Sequence, residues 1–313
     1  MPSQNHAPAR VLGLFVVLGL TACSSDGTGP NDSDPLVLLW PVAGEDGADW
    51  VINNYVDLDT GAGVLDYRGG GKSYDGHPGV DIDVPNFRWM DSGHQIVAAH
   101  AGEVVSLGDG QPDRNTSCVG TANFVDVRHE DGSTMTYGHF KRSSIVVSIG
   151  QQVSAGDALA VVGSSGCSTA PHLHLELRDE GGTVIDPFLE ELFAAPPTYD
   201  APLDFMDLNV KEGAIGGVDE LKDPPPNATT VAAGGTIGVG LSMAGGMTGD
   251  VIRVLILDDG DVVVHDVGTT FQRTWRHTYW FWNRSLTAGT PGSWAIEVYT
   301  NGALRATYGF TVQ

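Results

Sequence analysis

The chain has 313 residues, enough for two modest domains that each bury a core. Asp and Glu outnumber Lys and Arg by 39 to 16, giving a formal net charge of −23. So acidic a surface repels phosphate backbones and anionic lipid headgroups, which excludes nucleic acid as a partner and excludes docking onto lipid through basic patches.

Arg10 precedes an apolar run over residues 11–20 that ends in Leu20-Thr21-Ala22-Cys23. The run is too short to span a bilayer, which takes about 20 residues, and reads as the core of an export signal with small residues at the cut site. Leu-Thr-Ala-Cys resembles the bacterial lipobox, in which the cysteine is lipidated and becomes the new N-terminus. On this reading residues 1–22 are a lipoprotein signal peptide, Cys23 carries the lipid that holds the chain on a membrane, and 23–35 form a polar tether. Ser24 after the cysteine favours the outer membrane of a Gram-negative envelope, by resemblance to other lipoproteins. An exported chain left with Cys118 and Cys167 is expected to join them in a disulfide rather than keep two buried thiols.

From residue 36 to 195 the pattern is mostly β. Short β-rich runs at 96–99, 102–105, 124–127, 133–137 and 158–162 are separated by glycine turns, which predicts a compact antiparallel β domain. Residues 196–226, bracketed by Pro196-Pro197 and Pro224-Pro225-Pro226, read as an extended acidic linker. Residues 227–313 alternate again, at 251–257, 262–264, 294–299 and 308–312. Asn301-Gly302 marks a tight hairpin between the last two runs. A small immunoglobulin-like β-sandwich is expected there. Its aromatics Trp275, Tyr279, Trp280 and Trp282 are expected to fill the core, the rival role being to stack on sugars.

Three segments of the first domain carry chemistry: Gly76-His77-Pro78-Gly79-Val80-Asp81, Tyr137-Gly138-His139 and Pro171-His172-Leu173-His174-Leu175-Glu176. Side chains two apart on a strand share a face, so His172 and His174 point one way while Leu173 and Leu175 enter the core. Two imidazoles with a carboxylate from a separate segment suit zinc. Asp83 shares a face with Asp81 and is a rival ligand. Glu176 lies on the face of His174 and is placed either to orient it or to stand as a solvated charge. His94, His100, His129, His265 and His277 lack a partner at ligand spacing and are expected to be surface or hydrogen-bonded residues.

Over roughly 40–188, the ordered motifs resemble the lysostaphin-type (LytM-like) zinc endopeptidases. The match runs from His77-Pro78-Gly79-Val80-Asp81 through Ala98, Ala99 and Gly102, Tyr137-Gly138-His139 and 150–157 to Pro171-His172-Leu173-His174. Gly138 departs from the family, where alanine is usual. The resemblance implies a peptidase domain of the duplicated hybrid motif type, with Zn2+ held by His77, Asp81 and His174. It makes His139 and His172 catalytic, beside a zinc-bound water. The implied activity is cleavage of peptide cross-links in peptidoglycan at the cell envelope. The alternatives are a catalytically silent activator of wall hydrolases, or a peptidase acting on glycine-rich proteins.

Overall fold

The structure, a computed structural model, describes residues 36–286 and 291–313. The predicted signal segment, the expected lipidation site Cys23 and the expected tether lie outside the described residues. The described chain is mostly β, as expected, and its long strands pair antiparallel.

The central sheet of the first domain runs in the order Val51–Asn54, Val80–Asp83, His172–Arg178, Thr134–Gly138, Phe124–Arg128, Gly102–Gly108 and Gln152–Val153. Alternation decides which face of each strand is buried. In His172–Arg178 the side chains of Leu173, Leu175 and Leu177 are buried, while His172, His174 and Glu176 lie on the other face, only slightly open to solvent. Val125 and Val127, then Met135 and Tyr137, continue the buried face across the neighbouring strands. Each such aliphatic side chain contributes about 1.5–3 kcal/mol on full burial, and together they hold the strand that carries the histidines in register.

That register builds the site. His172–Arg178 is paired on one side with Val80–Asp83, setting His172 opposite Asp83 and His174 opposite Asp81. On the other side it pairs with Thr134–Gly138, setting His174 opposite Gly138. One row across three strands therefore reads Asp81, His174, Gly138. A one-residue slip would turn His174 into the core, so the leucines specify the position of the imidazole as well as the stability of the sheet.

Cys118 and Cys167 form the expected disulfide, joining the short paired strands Ser117–Cys118 and Cys167–Ser168. It ties the 109–123 loop to the segment that leads into His172.

The second domain closes two sheets on one core. Asp204–Glu212, Thr236–Ala244 and His277–Ser285 form one sheet; Thr230–Val231, Ala303–Val312, Gly292–Thr300, Val251–Leu257 and Val263–Thr270 form the other. Buried residues of both sheets, from Leu208 and Val239 to Val254, Ile296 and Phe310, make one apolar cluster. Trp275, Trp280 and Trp282 pack against it, and Trp280 stacks on Phe271 at 5.5 Å between centroids. These three aromatics serve packing.

The expected linker over 196–226 needs correction. It contains Asp204–Glu212, a nine-residue strand paired along its length with Thr236–Ala244, and the short helix Val218–Lys222. Met206, Leu208 and Val210 point into packed interior, so this segment buries apolar surface that a linker would leave in water. The sandwich thus begins near residue 204 rather than 227.

The sandwich is docked against the 83–88 segment of the first domain. Arg88 pairs with Asp207 at 2.6 Å, and Asn86 Nδ2 donates to the same carboxylate. Tyr279 donates to the Pro85 carbonyl at 3.0 Å. Val51, Met206 and Ala244 form a small apolar cluster of their own between the domains.

Candidate metal centre

His77, Asp81 and His174 bring one ligand atom each to a single point. His77 is fully buried, and its Nδ1 donates to the Tyr55 carbonyl at 2.9 Å, which leaves the Nε2 lone pair facing inward. His174 is oriented the other way round. Its Nε2 donates to Glu176 Oε2 at 3.2 Å, leaving Nδ1 facing inward. Glu176 is itself gripped by the Arg178 guanidinium. Asp81 turns Oδ1 toward both imidazoles, while its Oδ2 accepts from Asn54 Nδ2 at 2.8 Å.

The three inward atoms form a near-regular triangle. His77 Nε2 to Asp81 Oδ1 is 3.1 Å, His174 Nδ1 to Asp81 Oδ1 is 2.9 Å, and the two nitrogens stand 3.3 Å apart. Donors sitting about 2.0–2.2 Å from zinc at the corners of a tetrahedron stand about 3.3 Å from one another. The observed edges match within a few tenths of an ångström. Lone pairs aimed at one another across such distances repel unless a cation or proton lies between them, so the donor set fits a divalent ion.

The electrostatics agree. Burial pushes the His174 imidazolium toward losing its proton, yet Asp81 and Glu176 outweigh burial and raise its pKa to about 9. Burial disfavours the Asp81 carboxylate, but His172, His174 and His77 hold its pKa well below the usual range. The cluster demands positive charge at its centre.

His139 and His172 stand beside this triangle, their rings 4.5 Å apart between centroids. His139 directly follows Gly138 and adopts a left-handed backbone, φ +65°. That conformation costs a residue with a Cβ about 1–2 kcal/mol. The surroundings hold it: Nδ1 donates to the Ser165 carbonyl at 2.6 Å, which leaves Nε2 as the acceptor. Burial, then the neighbouring His172 and His174, lower its pKa to about 3, so His139 is neutral throughout the physiological range. His172 Nδ1 donates to the Ala170 carbonyl at 2.8 Å, and its Nε2 lies 3.6 Å from Asp81 Oδ1.

Two glycines show how closely the strands crowd His174. An ideal Cβ at Gly79 would lie 2.7 Å from His174 Cε1 and 2.7 Å from the Leu175 carbonyl oxygen. The His-x-Gly-x-Asp spacing thus needs glycine for close approach. At Gly138, by contrast, a Cβ would meet His174 Cβ at 3.5 Å, an ordinary contact that explains how alanine and glycine can both serve there.

All five expected residues, together with Glu176, converge. Asp83 does not join them: its Oδ2 accepts from His277 Nδ1 at 2.8 Å, across the domain boundary. His94, His100, His129 and His265 each bond a backbone carbonyl, as expected. His277 is hydrogen-bonded too, but its bond joins the domains beside the site, a role that its spacing does not announce. Sequence reasoning also missed Asn54, the Asp81 partner, and the buried pair Asn123 and Ser165. Ser165 Oγ donates to the Phe140 carbonyl and accepts from the Asn123 backbone, shaping the loop that holds His139. The carbonyls that orient His77, His139 and His172 carry no sequence signal, because every residue has one.

Residues 75–187 match the model of Peptidase family M23. The chain is 37% identical over 97 residues to the murein hydrolase activator EnvC of Escherichia coli (strain K12), covering 31% of this chain and 22% of EnvC. It is 30% identical over 149 residues to the uncharacterized lipoprotein YgeR of the same organism, covering 48% of this chain and 45% of YgeR. The chain thus spans less than half the length of these relatives. Among solved structures, a point mutant of the catalytic domain of the prophage-encoded M23 protein EnpA from Enterococcus faecalis is 27% identical, with 47% of this chain and 95% of that chain covered and a TM-score of 0.34. The matched segment opens two residues before His77 and closes after the His172–Arg178 strand, so residues 75–187 form a peptidase M23 domain of the lysostaphin type.

Proposed function

We propose that this chain is a zinc-dependent metalloendopeptidase that cuts peptide cross-links of peptidoglycan from an anchored position in the cell envelope. The observation that carries the reading is the triangle of His77 Nε2, Asp81 Oδ1 and His174 Nδ1, with edges of 2.9–3.3 Å. Three protein ligands suit a catalytic rather than a structural zinc site. When bound there, zinc supplies Lewis acidity, polarising a scissile carbonyl and making water acidic enough to ionise near neutrality.

The remaining chemistry belongs to the chain itself. His139 and His172 stand beside the triangle with Nε2 free of the carbonyl bonds that hold each Nδ1. One would take the proton of the attacking water and the other would serve the developing oxyanion or the leaving amine. Burial keeps His139 uncharged at neutral pH, so its Nε2 lone pair is unprotonated. Asn54 and Glu176 fix Asp81 and His174 in orientation. The disulfide steadies the segment that delivers His172.

Cys23, as the lipidated N-terminus, would hold the domain at a membrane of the envelope; the lipoprotein YgeR among the relatives supports this placement. The activator EnvC favours a second reading, in which the groove binds and activates another wall hydrolase. An activator has no need of a complete ligand triangle with two flanking imidazoles, and all five residues are present here. Incubating purified sacculi with the zinc-loaded protein tests the choice. Soluble peptides should appear with the wild type and not with His174→Ala, whereas equal release by both would remove the peptidase reading.

A further inference from the structure

A groove of about 420 Å³ opens over the histidine cluster. The peptidase domain lines it with Asp81, His139 and His172, and the sandwich lines it with Lys222, His277 and Tyr279. The second domain is therefore part of the site's wall. Its hold is firm: the His277 and Asp83 side chains are 3% and 7% exposed where they meet, and His277 Nε2 continues to Ser242 Oγ at 2.9 Å.

Lys222 is the only Lys or Arg among the described residues that line this groove. Anchors on both sides fix it in place. Leu221 is buried against Gly240, where a Cβ would stand 2.2 Å from Leu221 Cδ2, so glycine lets the short helix sit down on the sheet. Asp223 pairs with Arg114 at 2.6 Å, and the next residue, Asn115, bonds the Ser164 and Gly166 carbonyls. Lys222 is thus held beside the loop that leads to His172. Its side chain is 20% exposed, and its ion-pair partner is Asp219 at 3.5 Å, a carboxylate 92% exposed one helical turn away. Solvent screens so exposed a partner, and a pair of this kind is weak, so a carboxylate entering the groove competes readily for the ammonium.

We propose that the sandwich forms one wall of the substrate site and that Lys222 on it binds a carboxylate of the peptide lying over the histidine cluster. As the one Lys or Arg on the groove lining of a chain with net charge −23, Lys222 gives an acidic peptide a point of attraction on the wall that the sandwich supplies. The peptide's origin in peptidoglycan rests on the function proposed above; the carboxylate preference rests on the groove.

The test uses the zinc-loaded full chain and a wall-derived tetrapeptide, which has no cross-link to cut, with its carboxyl groups either free or converted to primary amides. Affinities for both forms are measured by fluorescence anisotropy for wild type, Lys222→Met and Lys222→Arg. The wild type should bind the free acid about tenfold more tightly than the amide, as a charge-assisted contact allows. Lys222→Met should bring that ratio close to one, and Lys222→Arg should keep most of it. No preference in the wild type, no binding by it, or an unchanged preference in Lys222→Met each overturns the proposal. Release of peptides from sacculi is scored separately, so loss of the peptidase reading with an intact carboxylate preference is a distinct outcome.

Discussion

Gly79→Ala and Gly138→Ala form a matched pair of perturbations on opposite sides of His174. Carbon atoms in good contact stand about 3.5–4.0 Å apart. A methyl group at position 79 would sit 2.7 Å from His174 Cε1, an intrusion of close to an ångström, and also 2.7 Å from the Leu175 carbonyl oxygen, again inside normal contact. The backbone there cannot retreat, because Val80 and Asp81 are paired with Leu175 and His174. The imidazole is the part left to turn, and turning it carries Nδ1 away from Asp81 Oδ1. The strain itself costs about 1–3 kcal/mol of stability. The effect on metal is larger: zinc affinity should fall by at least about 10–100-fold, the loss seen when a ligand is no longer correctly oriented. At position 138 the nearest atom would be His174 Cβ at 3.5 Å, and both stability and affinity should stay within about 0.5 kcal/mol of wild type. Competition for zinc against a chelator gives the affinities, and thermal unfolding with far-ultraviolet circular dichroism confirms that both variants fold. Wild-type zinc affinity in Gly79→Ala, or equal damage from both substitutions, would refute the reasoning.

Other expectations follow from single contacts. His277→Ala leaves the buried Asp83 carboxylate without its donor and should lower unfolding free energy by about 3–5 kcal/mol, read from denaturant titration. An effect below about 1 kcal/mol would mean that the domains do not depend on this pair. Glu176→Ala frees His174 Nε2 and should weaken zinc binding about 10–100-fold while the fold persists, measured by the same chelator competition. Replacing Cys118 and Cys167 together by serine opens a closure of 49 residues and should cost about 4 kcal/mol by loop entropy, checked by denaturant unfolding of the two proteins side by side.

Local pattern made the centre of the site legible. His172-Leu173-His174-Leu175-Glu176 alternates strictly, and the strand buries its leucines and presents both histidines with Glu176, as period two demands. The His77 and Asp81 spacing with Gly79 between them also translated directly into geometry, because the needed close approach leaves a glycine as its trace. What escaped was non-local. Asp83 and His277 are 194 positions apart, and no spacing rule connects them. Acidic composition and flanking prolines mask Asp204–Glu212, although Met206, Leu208 and Val210 alternate as a strand requires. One of those acidic residues, Asp207, is the carboxylate that grips Arg88 and Asn86 across the domain boundary.

The most direct measurement is anomalous diffraction at the zinc absorption edge from crystals of the full chain grown with zinc. A single strong peak should lie about 2.0–2.2 Å from each of His77 Nε2, Asp81 Oδ1 and His174 Nδ1. A zinc peak bound elsewhere, or electron density that places Asp81 away from the two imidazole nitrogens, would contradict the account.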